Sequence, residues 1–311
     1  MSRVAIIGTG KLGTRLAEQL VLDGHFDEVL LWNRSQEKLR GTILSLNIWA
    51  NLLNTKTRIS QFDWDSVESL NLIVLAIKEH YDPRALLKGN PPPSWIPQQL
   101  RYAGLLRDLP QVKSVCEKLI NFRGTLAVVT NPVDIITSFV SQFLPQTRVY
   151  GLGSSVDSAR LSYIASNYLG YKVDPQCIPV GGEHGHQIVA FKTLWSIDQT
   201  TYNAISSHVP EWSVTANDVS IRIVTDLGYT LQDCAVTFAE DVAWLAGETS
   251  SRRYAVFSVF NGVASVGTPV AFGDNSIIHS ELGSVSDLER EEIENARSHI
   301  SSLVQQLKSH F

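Results

Sequence analysis

Three short segments hold residue types suited to proton transfer beside an acid: Thr130-Asn131-Pro132-Val133-Asp134, Val156-Asp157-Ser158-Ala159-Arg160 and Gly182-Glu183-His184-Gly185. Asp157 and Arg160 stand three apart in a helical pattern, so both project from one face. The glycines around His184 predict a loop tip, where an imidazole is exposed rather than packed. An imidazole exchanges protons near neutral pH, a carboxylate fixes its tautomer, and a planar guanidinium matches a carboxylate as a fork.

A second group lies near the start of the chain. Gly8-Thr9-Gly10-Lys11-Leu12-Gly13 directly follows the apolar run Val4–Ile7 and opens a helical pattern. Gly8 suits a tight turn, Gly10 lets backbone reach a pyrophosphate, and Gly13 permits close helix–strand packing, with the phosphates on the positive end of the helix. About 20 residues further on, a carboxylate would bind the ribose 2′-hydroxyl of NAD. The chain has Trp32-Asn33-Arg34-Ser35 there instead. Asn33 does not repel a 2′-phosphate, Arg34 can bind one, and Ser35 offers a hydroxyl and a backbone N–H. This pattern predicts NADP(H), with NAD(H) as the alternative.

These residues need elements to position them. Apolar runs at Val4–Ile7, Val29–Trp32, Leu72–Ile77, Thr125–Thr130 and Val149–Leu152 alternate with helical patterns. Such alternation predicts βαβ crossovers and a doubly wound parallel sheet of Rossmann type over residues 1–150. Residues 151–311 mix helical stretches with short β-like pieces and read as an α+β substrate-binding domain. The segment Lys88–Gln99 carries four prolines and reads as a loop.

Composition narrows the class. Hydrophobic residues make up 44% and charged residues 18% of the 311, which excludes a disordered or fibrous chain. A net charge of −5 without a Lys/Arg block gives no electrostatic reason to bind nucleic acid or an anionic membrane. No apolar run is long enough for a membrane span. Strand-like sequence begins right after Met1, Ser2 and Arg3, so no cleavable leader is expected. Cys116, Cys177 and Cys234 form an odd, widely spaced set, which reads as reduced thiols in the cytoplasm. No His, Cys, Asp or Glu group shows metal-ligand spacing along the chain.

The ordered motifs GTGKLG, TNPVDIITSF, VYGLGSSVDSARL and GEHG resemble those of the lactate/malate dehydrogenase family, over nearly the whole chain. The DSAR form is more similar to the lactate branch. The resemblance implies that His184 is the acid/base, that Asp157 holds its imidazole, and that Arg160 takes the substrate carboxylate. It further implies that Asn131 binds the reacting oxygen or the nicotinamide side, that backbone at Ile77 runs near the cofactor, and that Arg101 is the mobile-loop arginine that polarises the carbonyl. Thr230 would line the substrate pocket. The expected activity is interconversion of a 2-oxo acid and an L-2-hydroxy acid, by a homodimer or homotetramer. A dicarboxylate-specific enzyme and a non-catalytic NADP-binding sensor are the alternatives.

Three departures from that pattern stand out. Ile77-Lys78 replaces the usual Ala-Gly, residues 79–100 form a longer approach to Arg101 with Pro91-Pro92-Pro93 and Trp95 inside it, and His186 replaces the aspartate after GEHG. A longer, stiffer lid predicts a substrate with a larger side chain than pyruvate, with the alternative that Lys78, Arg84 or Lys88 meets a second anionic group.

Overall fold

A computed structural model of the protein describes residues 2–227, 232–249, 254–272 and 278–309. It divides into two compact units. The first comprises residues 1–132, 139–150 and 234–249, and the second residues 133–138, 151–233 and 250–311. Each unit draws on separated stretches of the chain.

The first unit begins with β1 (Arg3–Ile7), α1 (Lys11–Asp23), β2 (Glu28–Trp32), α2 (Gln36–Leu52), β3 (Arg58–Gln61) and β4 (Leu72–Leu75). Then follow α3 (Pro83–Gly89), α4 (Leu105–Lys118), β5 (Thr125–Val128), α5 (Val133–Phe143, shared with the second unit) and β6 (Arg148–Gly151). The strand order is β3-β2-β1-β4-β5-β6. Pairing is parallel, with Ile6 level with Leu31 on one side and Val74 on the other. Successive side chains of a strand point to opposite faces, yet Val4–Ile7 and Leu72–Leu75 are all buried. Both faces of the sheet are thus covered, as βαβ crossovers require.

The stretch expected as a loop starts later than the prolines suggested. Lys88 and Gly89 close α3, capped at its start by the Asp82 side chain, and irregular backbone begins at Asn90. This insert is not a loose flap: Ile96 and Tyr102 are fully buried within the unit. Buried Asp108 on α4 accepts hydrogen bonds from the Glu79 N–H and the Tyr81 hydroxyl, each at 2.7 Å.

The second unit holds α6 (Ser154–Leu169), β7 (Val180–Gly182), β8 (Ile188–Ala190), α7 (Gln199–Ile205) and α8 (Val209–Leu227). It is completed by β9 (Ala255–Phe260), β10 (Ser265–Phe272), β11 (Ile278–Ser280) and α10 (Asp287–Lys308), after α9 (Gln232–Leu245), which lies in the first unit from Cys234 onward. Its strands pair antiparallel, β10 with β9, β7 and β11, and β7 with β8. Leu161, Ala165, Val173, Ile178, Val180, Ile205, Val209 and Trp212 form its core under α6. A capping box between Ser286 and Glu289 starts α10, and Glu289 also accepts from the backbone and hydroxyl of Thr193. Among the described residues no helix is long and apolar enough to cross a membrane.

Candidate active site

In the first unit the glycine-rich turn forms as its spacing demands. Gly8 has φ +107°, and a Cβ there would meet the Ala76 carbonyl oxygen at 2.4 Å, so only glycine fits. At Gly13 a Cβ would overlap the Gly8 carbonyl, which lets α1 press against the turn. Gly10 is exposed, caps α1 without a side-chain hydrogen bond, and would carry a Cβ into open space. Backbone at Gly10 is therefore open to approach, at the helix end whose dipole favours a phosphate. Lys11 and Leu12 open the helix, and Thr9 is buried behind it. The residues fit a dinucleotide.

Asn33 serves the turn more than a ligand. Its amide donates to the Thr9 hydroxyl at 2.9 Å and the Thr9 carbonyl at 3.2 Å, and its oxygen accepts the Ser35 N–H at 2.9 Å. The Ser35 hydroxyl caps α2 by accepting from the Lys38 N–H. Arg34 is exposed and forked onto Glu79, at 2.8 Å and 3.1 Å. Thr130, at the end of β5, accepts the Ile77 N–H at 2.9 Å and donates to the Leu75 carbonyl. That bond fixes the backbone after β4 beside exposed Asn131, whose bond to Pro132 is cis. Arg101 stacks 5.3 Å over the Tyr102 ring, and its Nε and Nη1 are buried without a hydrogen-bond partner.

The second unit brings His184, Asp157 and Arg160 together. His184 Nδ1 lies 2.8 Å from Asp157 Oδ2, and Arg160 Nη1 lies 3.5 Å from Asp157 Oδ1. Asp157 is 1% exposed. Burial pushes its carboxyl pKa up, but the charge and hydrogen bond of His184, the Arg160 guanidinium and the Gly185 N–H hold it below the usual carboxylate range. His184 projects from the turn between β7 and β8, and α6 supplies the other two from its first turns.

Three supporting residues escaped the sequence reading. Asp134, within the TNPVD segment, accepts the His184 N–H at 2.9 Å through Oδ2 and the Ser258 hydroxyl through Oδ1. Gly153 lies against the imidazole: a Cβ there would meet His184 Cγ at 2.7 Å. Asp233 accepts from Arg160 Nη2 at 3.0 Å. Asp134 and Gly153 had the signal of sitting inside the quoted TNPVDIITSF and VYGLGSSVDSARL motifs, and Asp233 that of lying three residues after Thr230. Thr230 lies outside the described residues.

Comparison with known proteins gives three kinds of likeness. Residues 3–90 match the family model described as NADP oxidoreductase, coenzyme F420-dependent. L-lactate dehydrogenase 3 of Bacillus cereus is 32% identical over 196 residues, covering 61% of this chain and 57% of that protein. L-lactate dehydrogenase of Bacillus caldotenax is 28% identical over 188 residues, 59% of this chain and 55% of that one. The chain thus matches a little over half the length of these relatives. Among solved structures, a lactate dehydrogenase from a Medee basin deep-sea metagenome library aligns with TM-score 0.79 and 21% identity over 96% of both chains. Cryptosporidium parvum malate dehydrogenase aligns with the same score and identity over 99% of both.

Proposed function

We propose, from the premise that this chain is a divergent member of the lactate/malate dehydrogenase family, that it reduces a 2-oxo acid to an L-2-hydroxy acid with NADPH. The observation that carries the reading is the 2.8 Å contact between His184 Nδ1 and Asp157 Oδ2, with Arg160 against the same carboxylate. When bound, the nicotinamide supplies the hydride. Reduction turns the carbonyl oxygen into an alkoxide, so a proton must stand ready. His184 provides it from Nε2, because Asp157 engages Nδ1 and Asp134 holds its backbone. Arg160 grips the substrate carboxylate as a fork and orients the carbonyl. Arg101, with two buried guanidinium nitrogens lacking acceptors, polarises that carbonyl, and Asn131 binds the reacting oxygen or the nicotinamide side.

Arg34 favours NADP(H), since a 2′-phosphate can take over the fork that Glu79 occupies. The anchored insert between Lys78 and Arg101 favours a side chain larger than that of pyruvate. Leu44, Ile48 and Leu52 form an exposed apolar stripe on α2, which suits a contact between copies of the chain in a dimer or tetramer. A reduced intracellular setting fits the odd, widely spaced set Cys116, Cys177 and Cys234.

The test is a panel of 2-oxo acids of increasing side-chain size with NADPH and NADH, run on the wild type and His184→Ala. The wild type should turn over at least one acid, and His184→Ala should bind NADPH normally while losing about 10²–10⁴ in kcat. No turnover across the panel, or undiminished turnover in His184→Ala, refutes the reading.

A further inference from the structure

The motif that departs from the family pattern at His186 has a counterpart far along the chain. His186 Nδ1 lies 3.1 Å from Glu183 Oε2, and His299 Nδ1, on α10, lies 2.8 Å from the same oxygen. The three candidate ligand atoms fall within 4.8 Å of one another. Glu183 is 1% exposed, whereas the side chains of His186 and His299 are 34% and 30% exposed. We propose that Glu183, His186 and His299 bind one first-row divalent cation, of which zinc is the reference ion.

Four considerations support the site. Two imidazoles and one carboxylate suit zinc, cobalt, nickel or iron, and are poor ligands for calcium or magnesium, which take oxygen shells. A tetrahedral shell of radius ~2.1 Å separates neighbouring donors by about 3.4 Å, so rings this close to the carboxylate need only small rotations to admit an ion. Positive charge beside a carboxylate this deeply buried offsets the cost of taking it out of water. A cation bound between the two rings would place that charge directly against the Glu183 carboxylate. Finally, the ligands are held in place before any ion arrives. The His186 N–H donates to the Glu183 carbonyl at 3.1 Å, Asn217 on α8 donates to the His186 carbonyl at 2.9 Å, and the capping box with Glu289 fixes the start of α10.

The half-exposed rings leave a side open to solvent, where water completes the coordination and the ion enters. The ion cross-links the β7–β8 turn, which also carries His184, to α10. Its role is to hold that turn rigid; it takes no part in the proton transfer, which is assigned to neighbouring side chains. Local sequence spacing could not reveal the site, because the third ligand lies more than a hundred residues beyond the second.

Titration of chelator-stripped full-length protein with zinc, and separately with cobalt, tests the proposal without substrate or nucleotide. One equivalent should bind, cobalt should give a visible d–d spectrum that equimolar zinc abolishes, and zinc should raise the melting temperature. His186→Gln and His299→Gln should each weaken zinc binding at least tenfold and remove the thermal shift, with the chelated melting temperature retained. Binding by the double variant as tight as the wild type marks adventitious surface coordination and overturns the site. If the variants fail to fold, the wild-type measurement decides: no stoichiometric zinc, or a cobalt spectrum of six-coordinate aqueous type, also overturns it.

Discussion

Arg160 donates through Nη2 to Asp233 Oδ2 at 3.0 Å, so part of the fork assigned to the substrate carboxylate is already held by a carboxylate of the chain itself. Arg160 is almost buried, its Nε has no hydrogen-bond partner, and Asp233 is 30% exposed on its side chain. Under the proposed role of Arg160, a substrate carboxylate would have to displace Asp233 or share the guanidinium with it. Such a partly exposed pair is worth about 1 kcal/mol, roughly fivefold in an equilibrium. Asp233→Ala should therefore lower KM for the 2-oxo acid about fivefold with kcat little changed, as read by steady-state kinetics. A raised KM would make Asp233 a substrate contact instead.

Asp157 links stability to pH. Its carboxyl is held below the ordinary range because His184, Arg160 and the Gly185 N–H outweigh the cost of burial. A depressed native pKa stabilises the fold above the unfolded value of ~3.9, and that contribution disappears as pH falls through the native value. The melting temperature of the wild type should exceed that of Asp157→Asn near neutral pH, and the gap should close progressively below about pH 4. A gap constant from pH 7 to pH 3 would contradict the linkage. The same variant should lose about 10²–10⁴ in kcat, because the imidazole loses its orienting charge.

Much of this architecture was legible in the chain. The fully apolar runs of β1 and β4 announced strands buried on both sides, and Gly8 announced a turn that no other residue can make. Asp157 and His184 were legible as types, and their contact then followed from the fold. Other features were hidden for physical reasons. Strand β3, Arg58–Gln61, has a polar edge sequence with one buried residue and gives no apolar run. Helix α8 leaves Val214 and Ile221 exposed, which blurs its amphipathic stripe. The ring-facing role of Gly153 and the convergence of His299 on Glu183 depend on long-range packing that no local pattern encodes.

The proposed preference for NADP(H) turns on a contact just after β2. Arg34 is forked onto Glu79, so under the proposed reading a 2′-phosphate would have to replace that carboxylate. Glu79→Gln should strengthen NADPH binding several-fold, since it frees the guanidinium, and leave NADH nearly unaffected. Arg34→Asp should reverse the preference toward NADH. Both are measured by fluorescence titration of each reduced nucleotide. An NADPH affinity indifferent to both changes would remove Arg34 from the 2′-phosphate site.

Gly153 offers a test of how tightly the imidazole must be held. It precedes α6, and its missing side chain leaves the space that the His184 ring fills, with Cγ 2.7 Å and Cδ2 3.0 Å from where a Cβ would stand. Contacts below 3.0 Å force something to move, and the ring is the freer partner because the backbone of His184 is tied to Asp134. Gly153→Ala should therefore swing the imidazole off Asp157 Oδ2, and a displacement of about 1 Å in a catalytic group costs on the order of 10² in rate. The expected result is a large fall in kcat with NADPH binding and melting temperature close to wild type, accompanied by a changed His184 proton resonance. Full activity in Gly153→Ala would mean that the ring tolerates the shift, and that its alignment on Asp157 is not what sets the rate.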